Sequence, residues 1–431
     1  MTYEEAVQAL DATPSFGEKP GLERMTALME RLGNPQEGMK YIHVAGTNGK
    51  GSTCALLANI LTKAGYRTGL YISPHLTDFS ERMQVDGVPV PHEEVPLLAE
   101  QVFAAARECQ AQGLRLTEFE LITAMAFLWF QKRQCSVVVL EVGLGGRCDA
   151  TNVISQAELS VITSLSLDHT AVLGSTVEQI AFEKSGILKK GGVCVCYPDE
   201  PHAALNVIRI TAQVQQCRLV VAAMKDATYV DSSLDGTRLL TETSLPLTLP
   251  LLGEHQVKNA VTVLACVKEL KKMGWNIPDD ALQQGFATVS FPGRMEVLRR
   301  QPPVILDGAH NPEGTAALAK AMKKYVTKKR VIGVCGMMAD KNAAEAVRRL
   351  DGTMEKVFTA APCSPRAMSA QELAALWEKR RIPAQPMASL REALQAALKE
   401  EGAQHGVLVC GSLYLAGEAR PLLKELLNQK E

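Results

Sequence analysis

Short apolar runs alternate with helix-patterned segments along most of this chain. They fall at 41–45, 68–72, 136–141, 159–165 and 193–197, then at 304–306, 331–335, 356–359 and 406–410. Runs of this length, separated by helices, are strands buried on both faces, and that restricts the fold to parallel sheets covered by helices. Two such series predict two sheets. Between them, 222–250 turns polar and alternating, which predicts hairpin-like strands appended to the first sheet's domain. A helical pattern follows over 255–273. The adjacent Pro292 and Gly293 in Phe291-Pro292-Gly293-Arg294 mark a hinge, so the domains are expected at 1–293 and 294–431.

At 431 residues and 46% hydrophobic, the chain is long enough for two or three domains with real cores. A formal net charge of -1 with no basic run points away from nucleic acid and membrane surfaces as partners. MTYEEAVQAL is acidic and amphipathic rather than a leader, and no run approaches the roughly 18 apolar residues of a spanning helix. A cytoplasmic protein is expected. The 11 cysteines are odd in number and include no C-x-x-C pair. Cys194 and Cys196 would share one face of a strand, but no second pair at ligand spacing accompanies them, so core thiols are expected. The charged stretches AALKEEGAQ and LLKELLNQKE near the C-terminus read as solvated helix faces.

The first apolar run ends in GTNGKGS, Gly46 to Ser52, and a helical pattern begins at 53. Glycines at 46, 49 and 51 allow a turn that aims successive N–H groups into a concavity, with Lys50 as a point charge. Such a turn at a helix start is a phosphate cradle. It departs from G-x-x-x-x-G-K-[ST], because Val44 stands where the first glycine would be and the hydroxyl arrives one place late, at Ser52.

Three further stretches place polar groups at strand ends, where open α/β sheets hold ligands. LEVGLGGRCDATN puts Glu141 at the end of a strand and Asp149 after a glycine turn; a carboxylate there suits magnesium. LDHTAVLG places Asp168 and His169 after another strand, as caps or as ligands, and Lys184 follows in a helical stretch that reads by itself as surface. LDGAHNPEG gathers Asp307, His310 and Asn311 after a strand of the second domain, with Pro312 starting a helix.

HVAGTNGKGS, SPHL at 73–76, TEFE at 117–120, EVGLGGRCDATN, LDHTAVLG, FEKSGILK, GEHQVKNA, FPGRME, DGAHNPEG and GSLYLAGEAR, in order from residue 41 to 420, together resemble the folylpolyglutamate synthase/dihydrofolate synthase family, a branch of the Mur ligases. The resemblance implies an N-terminal P-loop ATPase domain with a mainly parallel sheet and a small appended β region, and a C-terminal Rossmann-like α/β domain. It implies an ATP-dependent amide ligase that joins L-glutamate to dihydropteroate and to the tail of reduced folates, through an acyl phosphate.

Residue by residue, the resemblance assigns Gly46, Thr47, Asn48, Gly49, Lys50, Gly51 and Ser52 to the ATP phosphates and Asn259 to adenine. Arg294, Asp307 and His310 become the second domain's share of the nucleotide site. One magnesium would be held by Ser73, Glu141 and His169, and Lys184 would be carbamylated to serve a second. His75, Leu76, Thr117, Phe119, Asp149 and Ala150 match the pteroate pocket, with Phe119 stacking on the pterin or lying in the core, and Asp149 accepting hydrogen bonds. The family is expected to act as a monomer. DATN favours the bifunctional enzyme over one restricted to tail extension. SPHL and TEFE, with only about 40 residues before the phosphate loop, argue against a UDP-sugar ligase. Intact Glu141, His169, Lys184 and Asp307 argue against a nucleotide-gated module without chemistry. The incoming glutamate is expected near the DGAH turn and Ser412.

Overall fold

The structure, a computed structural model, describes residues 1–14, 21–326, 330–400 and 405–428. The chain forms two compact units. The first comprises residues 1–228, 240–247 and 258–289, and the second 229–239, 248–257 and 290–431.

The first unit is built on a sheet of β1 (Lys40–Ala45), β2 (Thr68–Tyr71), β3 (Met83–Val85), β4 (Val88–Pro89), β5 (Val137–Glu141), β6 (Leu159–Ile162), β7 (Val193–Cys196) and β8 (Arg218–Val221), in the order β4-β3-β2-β5-β1-β6-β7-β8. From β2 to β8 neighbouring strands run parallel, and β3 and β4 fold back antiparallel at one edge. Sequence reading missed β3 and β4, although their turn carries a hairpin signal: Asp86 and Gly87 take φ of +53° and +80° between paired Val85 and Val88. It also missed β8, an edge strand with little burial.

Apolar side chains cover both faces of this sheet. Tyr41, Tyr71, Val138 and Leu140 pack on one side with Phe127, Trp129 and Phe130 of the helix Glu118–Lys132. Further along the same face Ala45, Ile162, Cys194 and Cys196 pack with Ala181, Ala204 and Ile208, while Ile42, Val44, Val139, Val161 and Val195 are buried on the opposite face. Each such large side chain contributes roughly 1.5–3 kcal/mol relative to exposure. Cys194 and Cys196 are therefore both core thiols, although they lie at alternate positions of β7.

The polar stretch forms a three-stranded sheet of β9 (Ala227–Ser233), β10 (Gly236–Thr241) and β11 (Pro246–Leu249), in the order β11-β10-β9. Its residues are divided between the two units rather than belonging to the first alone. The second unit's main sheet has β12 (Glu296–Arg300), β13 (Pro303–Leu306), β14 (Arg330–Cys335), β15 (Lys356–Thr359), β16 (Ala384–Pro386) and β17 (His405–Cys410), in the order β12-β13-β17-β14-β15-β16. All but β12 run parallel. Helices Leu390–Glu400 and Leu413–Asn428 carry the two charged C-terminal stretches, whose ends at 401–404 and 429–431 lie outside the described residues.

Candidate active site

In the first unit, β1 lies between β5 and β6, so the turns that leave these strands are neighbours at one edge. Gly46 and Gly49 shape the turn after β1, with φ of +155° and +87°. A Cβ on Gly46 would lie 1.8 Å from Thr163 Oγ1, and one on Gly49 would lie 2.5 Å from Asn259 Oδ1. Close contact as well as backbone angle therefore demands glycine at both positions. Asn259, the expected adenine contact, is buried against the phosphate turn itself.

The following helix, Lys50–Lys63, begins three residues earlier than its apolar pattern suggests, so Lys50, Gly51 and Ser52 form its first turn. Its N-cap, Gly49, offers no side-chain acceptor, and an anion is the partner such a helix start favours. The rest of the turn is differently employed. Thr47 N and Asn48 N donate to Ser164 O at 2.8 and 3.3 Å. Thr47 Oγ1 donates to Ser166 O and accepts from Ser166 N, both at 3.1 Å. These bonds tie the turn to the segment after β6.

Glu141 ends β5 with its side chain buried, and its Oε2 accepts from Ser73 N at 3.1 Å. Lys184 ends the helix Val177–Lys184 and is only 5% exposed, with Nζ donating to Gly46 O at 2.8 Å. The surface reading of Lys184 is thus overturned. Ile180, Ala181 and Lys184 share the helix face that packs inward, and the i to i+4 spacing from Ile180 was the signal available for it. Burial first, and the Lys50 cation second, lower its amine to about 7.

His169 lies beyond β6 with φ +49°, its side chain 48% exposed and 4.0 Å from the Asp168 carboxylate. Among the described residues no three His, Cys, Asp or Glu side chains converge into a metal cluster. The buried Glu141 carboxylate beside Ser73 and an anion cradle nevertheless offers oxygen donors of the kind a hard cation takes.

The expected pteroate residues also have structural partners. Phe119 is half-buried, its ring 6.0 Å from that of Tyr71, and it packs on Gly143, where a Cβ would meet it at 2.5 Å. Thr117 caps the helix Glu118–Lys132 in a reciprocal box with Glu120, which also receives Arg24 Nε at 3.0 Å. His75 Nδ1 accepts from Arg82 Nε at 2.9 Å, and burial, then Arg82, lower its ring to about 4, leaving it neutral. Leu76 N donates to Glu81 Oε2 at 2.7 Å. Asp149, beside buried Ala150, accepts from Leu144 N at 2.8 Å and from Thr151 N at 3.0 Å. Burial raises its carboxyl.

Within the second unit, Asp307 is buried after β13 and accepts from Met295 N and Ala309 N, both at 2.7 Å. Burial raises its carboxyl and the neighbouring Arg294 opposes the rise. His310 Nδ1 lies 2.9 Å from Gly308 O, and Asn311 caps the helix Pro312–Tyr325. Ser412, buried after β17, accepts from Tyr414 N at 3.0 Å. Sequence reading assigned no role to Asn152 or Lys189. The structure bonds them to each other beside the segment carrying Lys184, and Asn152 already stood in the DATN run.

Residues 44–267 match the Mur ligase middle domain, and residues 293–413 match the Mur ligase glutamate ligase domain. The dihydrofolate synthase/folylpolyglutamate synthase of Bacillus subtilis is 35% identical over 442 residues, covering 98% of this chain and 99% of that protein. Escherichia coli FolC in complex with DHPP and ADP has a similar structure, with a TM-score of 0.87 and 31% identity, covering 99% of each chain. So does the bifunctional folylpolyglutamate synthase/dihydrofolate synthase of Yersinia pestis complexed with AMPPNP and a Mn ion, with a TM-score of 0.84 and 30% identity, covering 98% of each. With both Mur ligase domains matched in order and nearly full-length likeness to these enzymes, the chain belongs to the dihydrofolate synthase/folylpolyglutamate synthase family of Mur ligases.

Proposed function

We propose that this protein is an ATP-dependent ligase that adds L-glutamate to dihydropteroate, giving dihydrofolate, and then to the glutamate tail of reduced folates. The acceptor carboxylate attacks the γ-phosphorus of ATP and ADP departs; the amine of glutamate then displaces phosphate from the acyl phosphate. Bringing a carboxylate to a polyphosphate demands charge neutralisation above all. The observation that carries the reading is the meeting of Lys50, the Gly49 helix start, the Glu141–Ser73 pair and buried Lys184 at one loop.

In this reading Lys50 and the Gly49–Ser52 turn hold phosphate oxygens, and Asn259 fixes the turn and lines the adenine side. Glu141, Ser73 and His169 would hold magnesium, which supplies charge neutralisation at the phosphates. Lys184 would complete a second metal position as a carbamate. A neutral buried amine is suited to this: the Nζ lone pair forms a bond to the carbon of carbon dioxide, a π pair moves to oxygen, and one proton leaves Nζ. The product is an anion where an ammonium would repel the metal.

Phe119, Asp149, Ala150, Thr117, His75 and Leu76 form the pteroate side. On the family likeness, Arg294, Asp307 and His310 of the second domain, which runs from about Arg294, are assigned to nucleotide binding and Ser412 to glutamate binding. All 11 cysteines are free thiols, which suits a reducing cytoplasm, and the family likeness suggests a monomer.

The test is phosphate release with MgATP and L-glutamate, comparing dihydropteroate with tetrahydrofolate, with products confirmed by mass. Turnover with both is expected. Turnover with tetrahydrofolate alone would restrict the enzyme to tail extension, and silence with both would remove the ligase reading.

A further inference from the structure

We propose that Asn152 is a positioning residue for Lys184, an inference that rests on the carbamate reading above. Asn152 is buried in the short helix Ala150–Val153, and its amide is fully engaged. Nδ2 donates to Arg147 O at 3.0 Å and to Gly186 O at 3.2 Å, while Oδ1 accepts from Lys189 Nζ at 2.8 Å. Lys189 Nζ also donates to Asn152 O at 3.2 Å and Ile154 O at 2.6 Å. Two facing carbonyls and one facing cation fix the amide's orientation, since the flipped rotamer would face like with like.

The two carbonyls that Asn152 joins belong to different parts of the site. Arg147 lies in the glycine turn that leaves Glu141, and Gly186 lies in the short helix Ser185–Ile187, which continues directly from Lys184. The same two segments meet through Arg147 N, which donates to Glu183 O at 2.9 Å, and Arg147 Nη2, which donates to Phe182 O at 3.3 Å. The carbonyls at the end of the lysine-bearing helix are thus received by the carboxylate-bearing turn. The backbones come so close that a Cβ on Gly186 would sit 2.4 Å from Arg147 Cβ, and one on Gly146 would sit 2.9 Å from Lys184 O. Asn152 is, beside Arg147 itself, a side chain that closes this contact, and it alone of the two joins a carbonyl of each segment. Its loss lets the segments separate, and a shift of under about 1 Å carries the 2.8 Å bond from Lys184 Nζ to Gly46 O out of hydrogen-bond range.

Asn152→Asp keeps the shape and the acceptor for Lys189 but replaces both donors with an oxygen facing Arg147 O and Gly186 O. ¹³C NMR in ¹³C-bicarbonate buffer counts carbamate on the full-length enzyme, with Lys184→Ala identifying the signal. We expect a Lys184-dependent signal in the wild type and about tenfold lower occupancy in Asn152→Asp at equal bicarbonate. kcat should fall in proportion, with partial recovery at high bicarbonate, and KM for ATP should stay within about twofold. Should Asn152→Asp fail to fold, Gly186→Ala gives the same readout by forcing the backbones apart. A wild-type signal that either folded variant retains, with unchanged kcat, overturns the positioning role and leaves the carbamate standing. Absence of a Lys184-dependent signal in the wild type overturns the carbamate reading, and this inference with it.

Discussion

Gly49→Ala tests whether a steric contact as well as a backbone angle holds the phosphate turn. Gly49 has φ +87°, so an alanine there carries left-handed strain of about 1–2 kcal/mol. Its Cβ would lie 2.5 Å from Asn259 Oδ1 and 3.1 Å from Asn259 Cγ, which adds an overpacking cost of about 1–3 kcal/mol because Asn259 is buried. The sum is about 2–5 kcal/mol. Asn259→Ala in the same chain should remove the steric part and leave the strain, so the double variant should be more stable than the sum of the single effects by about 1–3 kcal/mol. Urea unfolding followed by tryptophan emission measures this. A Trp377→Phe background leaves Trp129 and Trp275, both buried in the first unit, as reporters. Additivity within about 0.5 kcal/mol would mean that the turn relaxes away from Asn259, and the contact argument would be refuted.

Lys184→Ala should lower kcat roughly a hundredfold or more while ADP binding, followed by calorimetry, stays near wild type, and small carboxylic acids should restore part of the rate. Full activity in that variant would remove the second-metal role. The amine is also a source of pH-dependent stability. Its folded pKa of about 7 lies below the ordinary 10.5, so between those values the unfolded chain holds a proton that the folded chain has released. Stability from this group therefore rises with pH above about 7, by at most about 1.4 kcal/mol per unit. In carbon dioxide-free buffer the Tm of wild type should climb relative to Lys184→Met from pH 7 to 9, and parallel curves would contradict the burial argument. Phe119→Ala should weaken dihydropteroate use more than tail extension in steady-state assays, and equal losses would separate Phe119 from the pterin.

Local chemistry made much of this protein legible. The strands at 41–45, 137–141 and 331–335 announce themselves because strands buried on two faces are apolar at nearly every position, His43 and Glu141 being the exceptions. Gly46 and Gly49 announce the phosphate turn, because few other residues accept their backbone angles. Edge elements were harder to see. In β8, Arg218 and Val221 are exposed and the inner pair only half-buried, so the apolar signal is diluted.

The sequence by itself determined which segments become the buried central strands, where the chain turns at Gly46–Ser52, and which family's motifs it carries. Only the tertiary structure decided that Lys184 is buried on Gly46 O, 138 residues away, and that Thr47 spends its hydroxyl on Ser166. It likewise decided that Asn152 bridges Arg147 and Gly186. The physical reason lies in the strand order. Placing β1 between β5 and β6 brings three distant turns to one edge, and no local periodicity encodes that neighbourhood. Once the turns meet, burial moves the Lys184 amine and satisfied hydrogen bonds fix the amide of Asn152, and both effects depend on neighbours that the chain acquires only by folding.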